Sequence, residues 1–255
     1  MATAPFLLST QGQVSTVTLN RPPHNFIDEA SLAALADALD ALDADDNCRA
    51  VVLAANGKSF CAGADLSQLP QVNGVADATP LYAQALRLFR TRKPIVAAIQ
   101  GAAIGAGAGL ALVADFRVTC PSSRFSVNFN RLGFHPGFGL SCTLPRLVGQ
   151  QIAARLFYIG ERIDGERMLQ LGLADELAAD DQVLARAQVF AEEIALSAPL
   201  AVQSTRKTLR QGLADQVAAV NAREVVLQRE HFATDDFREG VAAASERRAP
   251  KFMGR

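Results

Sequence analysis

Two short stretches of small residues dominate this sequence: Gln100-Gly101-Ala102-Ala103-Ile104-Gly105-Ala106-Gly107-Ala108-Gly109, and Ser59-Phe60-Cys61-Ala62-Gly63-Ala64-Asp65-Leu66. The first follows an apolar run that predicts a strand over 95–99, and it opens a helix. The second follows a predicted buried strand over 51–54 and an Asn-Gly turn. Small residues let backbone N–H groups approach a ligand closely, and a helix start adds partial positive charge. Two such donors that converge on one point could stabilise an oxyanion.

Two other interpretations of these glycines are available. Either segment, taken alone, is equally typical of a tight turn. A dinucleotide-binding loop would need a third small residue at position 110 and an acid about 20 residues later. Leu110 and the segment 119–126 supply neither. We therefore do not expect a nicotinamide cofactor.

Composition limits the class of protein. The chain has 255 residues, of which 49% are hydrophobic and 20% are charged, with a formal net charge of -1. This predicts one large domain, or one domain with a smaller appendage, and no attraction to nucleic acid or to anionic lipid. Predicted strands and helices alternate to about position 180, and the remainder is helical. That order favours an α/β core followed by a helical region.

The sequence favours a cytoplasmic protein. Residues 1–8 have neither a basic segment nor a long apolar run, so we expect no signal peptide there. Gln100 and four glycines interrupt the longest apolar stretch, 95–114, which favours a buried strand, loop and helix start over a membrane span. The cysteines are dispersed, so we expect free thiols in a reducing compartment and neither a disulfide framework nor a metal site. They are Cys48, Cys61, Cys120 and Cys142.

A series of short motifs extends along nearly the whole chain. Their positions are 19–22, 50–53, 60–66, 93–101, 114–117, 132–137, 144–149, 172–174 and 247–252. Each is weak alone, but in this order they resemble the crotonase (enoyl-CoA hydratase/isomerase) superfamily. The resemblance implies an α/β fold, the crotonase/ClpP-like spiral of repeated ββα units. It places the spiral core at 1–195 and a helical region that forms trimers, often paired into hexamers, at 196–255.

The resemblance also implies an acyl-CoA thioester substrate. The two oxyanion-hole donors of the family correspond to the backbone N–H groups of Ala64 and Ala106. Coenzyme A would enter as part of the substrate, and no permanently bound cofactor or metal is implied. The positions implied to contact substrate are Pro23, Ala62, Asp65, Leu66, Gly105, Gly109 and Phe129. For Asp65 we favour a structural role, since a short carboxylate at this place can cap the next turn.

This sequence departs from the hydratases of the family at two positions. Hydratases use two glutamates to activate water and to deliver a proton, and the corresponding residues here are Gly109 and Phe129. A third acidic position, found in some isomerases and dehalogenases, falls at or near Phe138. Because acid–base groups contribute about 100- to 10,000-fold each, we do not expect ordinary hydration.

Few polar residues could replace these acids. His135 could titrate near neutral pH and is the candidate catalytic side chain, although a surface or supporting role is equally open. Asn128 and Asn130 flank Phe129, and in an extended segment they would face away from its side of the chain. For Tyr82 we favour packing, and for Cys61 a small core thiol.

Three functions follow from these observations. The first is an acyl-CoA enzyme that is grouped with the enoyl-CoA hydratases by overall similarity. It would polarise the thioester carbonyl without using the glutamate pair. Its reaction could be decarboxylation of a malonyl-type thioester, isomerisation or hydrolysis. The second is a non-catalytic acyl-CoA-binding protein, and the third is a true hydratase whose acids come from other residues.

Overall fold

The computed structural model describes residues 4–255 and contains one main sheet of six strands. The sheet order is β1-β2-β3-β6-β8-β10, and all neighbours are parallel except β1 and β2. The spiral α/β fold class is therefore confirmed. The strands are β1 (Phe6–Gln11), β2 (Val14–Leu19), β3 (Ala50–Ala55), β6 (Ile95–Ile99), β8 (Phe116–Thr119) and β10 (Glu176–Leu177).

Smaller pairings add a second layer beside the main sheet. A parallel pair joins β7 (Ala102–Ile104) and β9 (Arg124–Ser126), and an antiparallel hairpin joins β4 (Gln71–Val72) and β5 (Val75–Ala76). Two residues separate the end of β6 from the start of β7. The chain thus turns from the main sheet into the second layer at Gly101, where a Cβ would lie 1.8 Å from the carbonyl oxygen of Lys58.

Ten α-helices surround these sheets in the described part of the chain. They are α1 (Glu29–Ala44), α2 (Thr79–Leu88), α3 (Ala106–Ala111), α4 (Leu140–Val148), α5 (Gln150–Ile159), α6 (Gly165–Gln170), α7 (Val183–Ala195), α8 (Pro199–Leu209), α9 (Leu213–Phe232) and α10 (Asp235–Glu246). None of the helices in 4–255 combines the length and the apolar character that a membrane crossing needs.

The central strands are buried on both faces, which explains their continuous apolar sequences. Side chains of successive residues point to opposite faces, so β3 sends Val51 and Leu53 into the larger core and Val52 into the smaller one. Helix α7 closes the smaller core with four buried residues at helical spacing, from Val183 to Ala195.

The C-terminal helices pack back on the core. Helix α9 contacts α2 and α4, and its buried carboxylate, Glu224, accepts hydrogen bonds from the N–H groups of Gly139 and Ser141 at the start of α4. A carboxylate there complements the positive end of the helix. The division at 195/196 and the oligomeric role of 196–255 stay predictions.

Candidate active site

The two glycine-rich segments lie side by side. Cys61 forms a parallel bridge with Ala103, in which the Cys61 N–H donates to the Ala102 oxygen at 2.8 Å and the Ile104 N–H donates to the Cys61 oxygen at 3.0 Å. Ala64 lies three residues after Cys61, and Ala106 lies three residues after Ala103. The bridge therefore brings both alanines to one place, and both line the same pocket.

Neither alanine N–H is used by the fold. Within 4–255, the backbone N–H groups of Ala64 and Ala106 donate to no other protein group. The neighbours of Ala64 are paired, because Ile27 donates to Gly63 at 3.0 Å and accepts from Asp65 at 2.9 Å. Ala106 is the first residue of α3, so its N–H has no partner within that helix. An unpaired N–H at a pocket wall is available to a ligand oxygen.

Glycine is required at two positions beside these donors. Gly105 has a φ of 56°, in the region that residues with a side chain rarely adopt, and it turns the chain from β7 into α3. A Cβ on Gly107 would lie 2.1 Å from the Cys61 oxygen. The two segments can approach this closely only because that side chain is missing.

The pocket beside these donors is small and apolar. Its cavity volume is about 100 Å³. Large side chains close it from the loop after Ala64, from α2, from the 128–132 turn and from α9. These are Leu66, Leu69, Leu81, Phe129, Phe134 and Phe232.

Among the residues 4–255, only two polar side chains line the pocket, Tyr82 and Asn128. The prediction that Asn128 faces away from Phe129 is wrong, because 128–132 forms a 3-10 helix and no extended strand. In that helix successive side chains do not alternate between two faces, so both residues line the pocket. The Asn128 amide, half-buried, makes no hydrogen bond to another described residue.

Tyr82 is held by a buried amide. Gln228 on α9 donates from Nε2 to the Tyr82 hydroxyl oxygen at 3.2 Å and to the His135 carbonyl oxygen at 2.8 Å. Burial raises the pKa of Tyr82, and the nearby Glu224 carboxylate raises it further. The phenol therefore stays protonated at neutral pH, and within 4–255 its own proton has no hydrogen-bond acceptor.

Phe138 occupies the space beside Gly109. A Cβ on Gly109 would lie 2.6 Å from the Phe138 ring, so α3 has no room for a side chain at this position. Phe138 is 1% exposed, and its ring packs edge-on against Tyr82 with centroids 6.2 Å apart. The position that the resemblance aligns with a hydratase glutamate is thus packed with hydrocarbon.

The sequence matches a family model over almost its full length. The model describes enoyl-CoA hydratase/isomerase and covers residues 9–255. The chain is a member of the enoyl-CoA hydratase/isomerase family. The resemblance predicted from the ordered motifs is therefore confirmed, and members of the family act on coenzyme A thioesters.

Relatives and solved structures agree with this membership. The chain is 34% identical over 253 residues to the 2,3-dehydroadipyl-CoA hydratase of Escherichia coli, covering 98% of each protein. It is 33% identical over 264 residues to the (E)-benzylidenesuccinyl-CoA hydratase of Thauera aromatica, covering 98% of this chain and 99% of the relative. An enoyl-CoA hydratase/isomerase structure from Pseudoalteromonas atlantica superposes with a TM-score of 0.88 at 34% identity, covering 98% of this chain and 100% of the other.

Four of the residues that the family resemblance implies for substrate contact line the pocket. They are Ala62, Leu66, Gly105 and Phe129. Pro23, Asp65 and Gly109 are not among the lining residues. The Asp65 carboxylate instead caps a short turn, accepting from the Ser67 N–H at 3.1 Å and from its hydroxyl at 2.6 Å. That geometry agrees with the structural role predicted for Asp65.

His135 does not reach the pocket lining. The backbone N–H of His135 donates to Nδ1 of the His231 ring at 3.0 Å, and Nδ1 of the His135 ring lies 2.8 Å from the Pro136 carbonyl oxygen. The two imidazole rings stack with centroids 6.4 Å apart. A catalytic role for His135 therefore stays a prediction, and the geometry adds no support for it.

Sequence reasoning missed Phe232 as a pocket residue. It lies at the end of α9, about 100 positions after Phe129, with which it lines the same cavity. The sequence holds no motif around Phe232 that marks it. Its helical spacing with Val225 indicates only that it is buried.

Proposed function

We propose that this protein binds an acyl-CoA thioester with the carbonyl oxygen between the N–H groups of Ala64 and Ala106. The observation that carries the proposal is that both residues line one pocket and neither N–H group has a partner in the described fold. Donors placed in this way stabilise negative charge on the carbonyl oxygen of a thioester enolate. The apolar cavity beside them would take the acyl group.

We further propose that the enolate forms without a carboxylate base. No acid and no histidine of the described chain lines the cavity, whose polar side chains are Tyr82 and Asn128. Loss of CO2 from a malonyl-type thioester fits this lining, because the bonding electrons of the departing carboxylate become those of the enolate and no base is needed. The Tyr82 hydroxyl could then give its proton to Cα and regain one from water.

The names of the relatives favour hydration, and the cavity lining opposes it. A hydratase needs one group to activate water and another to protonate Cα, and each contributes about 100- to 10,000-fold. The family resemblance assigns these two roles to the positions of Phe129, which lines the cavity, and Gly109, against which Phe138 packs. Decarboxylation is therefore the better-supported reaction.

Two assays on the purified protein separate these reactions. We expect saturable decarboxylation of methylmalonyl-CoA or ethylmalonyl-CoA, followed by liquid chromatography of the product thioester, and no hydration of crotonyl-CoA above the uncatalysed rate. Hydration with a kcat in the usual range of about 1–1,000 per second would overturn the proposal. Tight acyl-CoA binding with no turnover of either substrate class would replace it with the non-catalytic binding protein.

A backbone variant tests the donor itself. Proline is tolerated at the first position of a helix, so Ala106→Pro removes one N–H without removing a hydrogen bond of α3. We expect a loss of about 100- to 1,000-fold in kcat/KM. Ala106→Gly keeps the N–H and is the matched control, since it changes only helix propensity, by about 1 kcal/mol.

A further inference from the structure

A second cleft lies at the far end of α2 from the thioester pocket. The pocket takes Leu81 and Tyr82 from the first turn of this helix, and the cleft takes residues 89–92, which follow its last turn. A helix of 10 residues is about 15 Å long, so the two sites are separate. One face of α8 forms the other wall of the cleft. The volume of the cleft is about 350 Å³.

In the part of the chain that the structure describes, five cations and no acid line the cleft. They are Arg90, Arg92, Arg206, Lys207 and Arg210. The amide of Gln203 adds a further hydrogen-bond donor, whereas the hydroxyl groups of Thr91 and Ser204 already donate to the carbonyl oxygens of Leu88 and Ala201.

Neighbouring carboxylates only partly balance these charges. Asp115 is shared, since Arg206 Nε lies 2.8 Å from one of its oxygens and Arg210 Nη1 lies 3.0 Å from the other. Asp215 contacts Arg90 at 3.3 Å in a pair that is more than half exposed and therefore weak.

Asp43 is the third carboxylate beside the cleft. It accepts the backbone N–H of Arg92 at 2.7 Å, whereas the Arg92 guanidinium donates to the Asp43 carbonyl oxygen. Lys207 makes no ion pair within 4–255. Five cations thus meet three carboxylates, which leaves an excess of two positive charges at one cleft.

Arg210 lines the cleft with its terminal nitrogens already donating to the Val113 oxygen and to Asp115. Its side chain is 15% exposed, and its Nε is buried without a hydrogen-bond partner in the described chain. Burial lowers the pKa of Arg210, and the like charge of Arg206 lowers it further against the opposing effect of Asp115. A buried, unpaired N–H is costly, but it is closed to solvent, so Arg210 acts on the cleft through its charge.

We propose that this cleft binds a phosphate-bearing small molecule. Guanidinium groups match the geometry of phosphate oxygens, and the excess of two charges suits a dianion. A water-sized group occupies about 30 Å³, so the cleft is larger than a single phosphate ion. A phosphate ester therefore fills it better than free phosphate does. The site is independent of the thioester pocket and of the reaction proposed there.

Binding to the intact protein tests the proposal. We expect saturable binding of inorganic phosphate and of adenosine 3′,5′-bisphosphate by isothermal titration calorimetry, weakening as salt is raised. Tighter binding of the bisphosphate identifies a phosphate ester as the ligand, and equal binding identifies phosphate itself. Adenosine 3′,5′-bisphosphate is also the nucleotide end of coenzyme A, so both titrations are repeated with acyl-CoA at saturation. Binding that persists belongs to the cleft, and binding that acyl-CoA abolishes overturns the proposal.

Variants of two exposed cations locate the site. Arg90→Gln with Lys207→Gln should weaken binding at least tenfold and leave acyl-CoA binding and the circular dichroism spectrum unchanged. Arg162→Gln removes an equally exposed charge elsewhere and should have no effect. The proposal is overturned if the unmodified protein shows no saturable binding up to tens of millimolar phosphate. It is also overturned if the double variant binds as the unmodified protein does, or if an acidic segment of a second copy fills the cleft in the assembled protein.

Discussion

The chemistry that we propose for this protein depends on backbone groups at single residues. Ala64 and Ala106 present N–H groups that the fold leaves unpaired, and their methyl side chains take no part. Their positions depend on the Cys61–Ala103 bridge and on a glycine at 107 that permits the close approach. A substitution that keeps the backbone therefore matters less here than one that moves it.

Tyr82 is the side chain whose removal most directly tests proton delivery. Tyr82→Phe deletes the hydroxyl, and the Gln228 Nε2 that contacted it still donates to the His135 oxygen. We expect turnover to fall about 100-fold or more while the free energy of unfolding falls by only about 1 kcal/mol. The measurement pairs steady-state kinetics with urea unfolding, and Leu81→Met on the same wall is the control. Unchanged kcat would remove Tyr82 from the mechanism.

Cys61 is a thiol beside the donors that we expect to be unreactive. It is fully buried, and burial raises its pKa to about 12 from the ordinary 9.0. Its thiolate is therefore scarce at every pH below that value, and the thiolate is the reactive form.

Alkylation followed by mass spectrometry checks this. Between pH 7 and pH 9, iodoacetamide should leave Cys61 unmodified in the folded protein and should modify it fully in guanidinium. Modification of folded Cys61 on the timescale of the unfolded protein would contradict its assignment as a core thiol.

At the scale of elements, the start of α1 supports the first donor. Asp28 caps this helix by accepting from the Ser31 N–H at 2.8 Å, and the preceding residue, Ile27, bridges Ala64. Burial alone would raise the pKa of Asp28, but hydrogen bonds from Ser31 and the ion pair with Arg21 outweigh it and lower the pKa.

Removing this cap should destabilise the protein. We expect Asp28→Ala to lower the free energy of unfolding by about 0.5–2 kcal/mol at pH 7, with Asp28→Asn losing less because it keeps the acceptor. The pKa of Asp28 is lower in the folded protein than in the unfolded chain, where it is near 3.8. The contribution of the Asp28 charge to stability is therefore complete above the unfolded pKa and is lost as the pH falls through the folded pKa. Urea titrations at pH 7 and pH 3 measure both effects, and equal losses for the two variants at pH 7 would contradict the capping role.

The elements near the site differ in how far sequence predicts them. The segments 59–66 and 100–109 are contiguous and rich in glycine, so their role could be predicted from local chemistry. The place of Asn128 in the pocket lining could not be predicted in this way. An extended segment and a 3-10 turn are hard to distinguish over five residues, and the choice between them decides which way the side chain points. The place of Phe232 in the pocket lining could not be predicted either, because it depends on a long-range contact from α9.

At the scale of the whole molecule, several large apolar side chains remain uncovered near the start of the C-terminal region. Leu196 is 87% exposed, Leu200 is 80% exposed and Leu209 is 71% exposed. Single exposed leucines are ordinary, but these lie within 14 residues of one another around α8. They are candidates for the interface of the trimer that the family resemblance implies.

Light scattering coupled to size exclusion tests the assembly. We expect a mass three or six times the 27.1 kDa of one chain, and a shift to lower mass for Leu200→Asp but not for Leu200→Met. A monomer at micromolar concentration, or an aspartate variant with unchanged mass, would contradict this interface.

The claim that the Ala64 and Ala106 N–H groups polarise a thioester is tested most directly by vibrational spectroscopy. The measurement is the isotope-edited infrared stretch of crotonyl-CoA labelled with carbon-13 at its thioester carbonyl, free and bound. Two hydrogen bonds to the oxygen should move the bound stretch to lower frequency, and Ala106→Pro should reverse part of that shift. A bound carbonyl with the frequency of the free thioester, or a shift that Ala106→Pro leaves unchanged, would contradict the account.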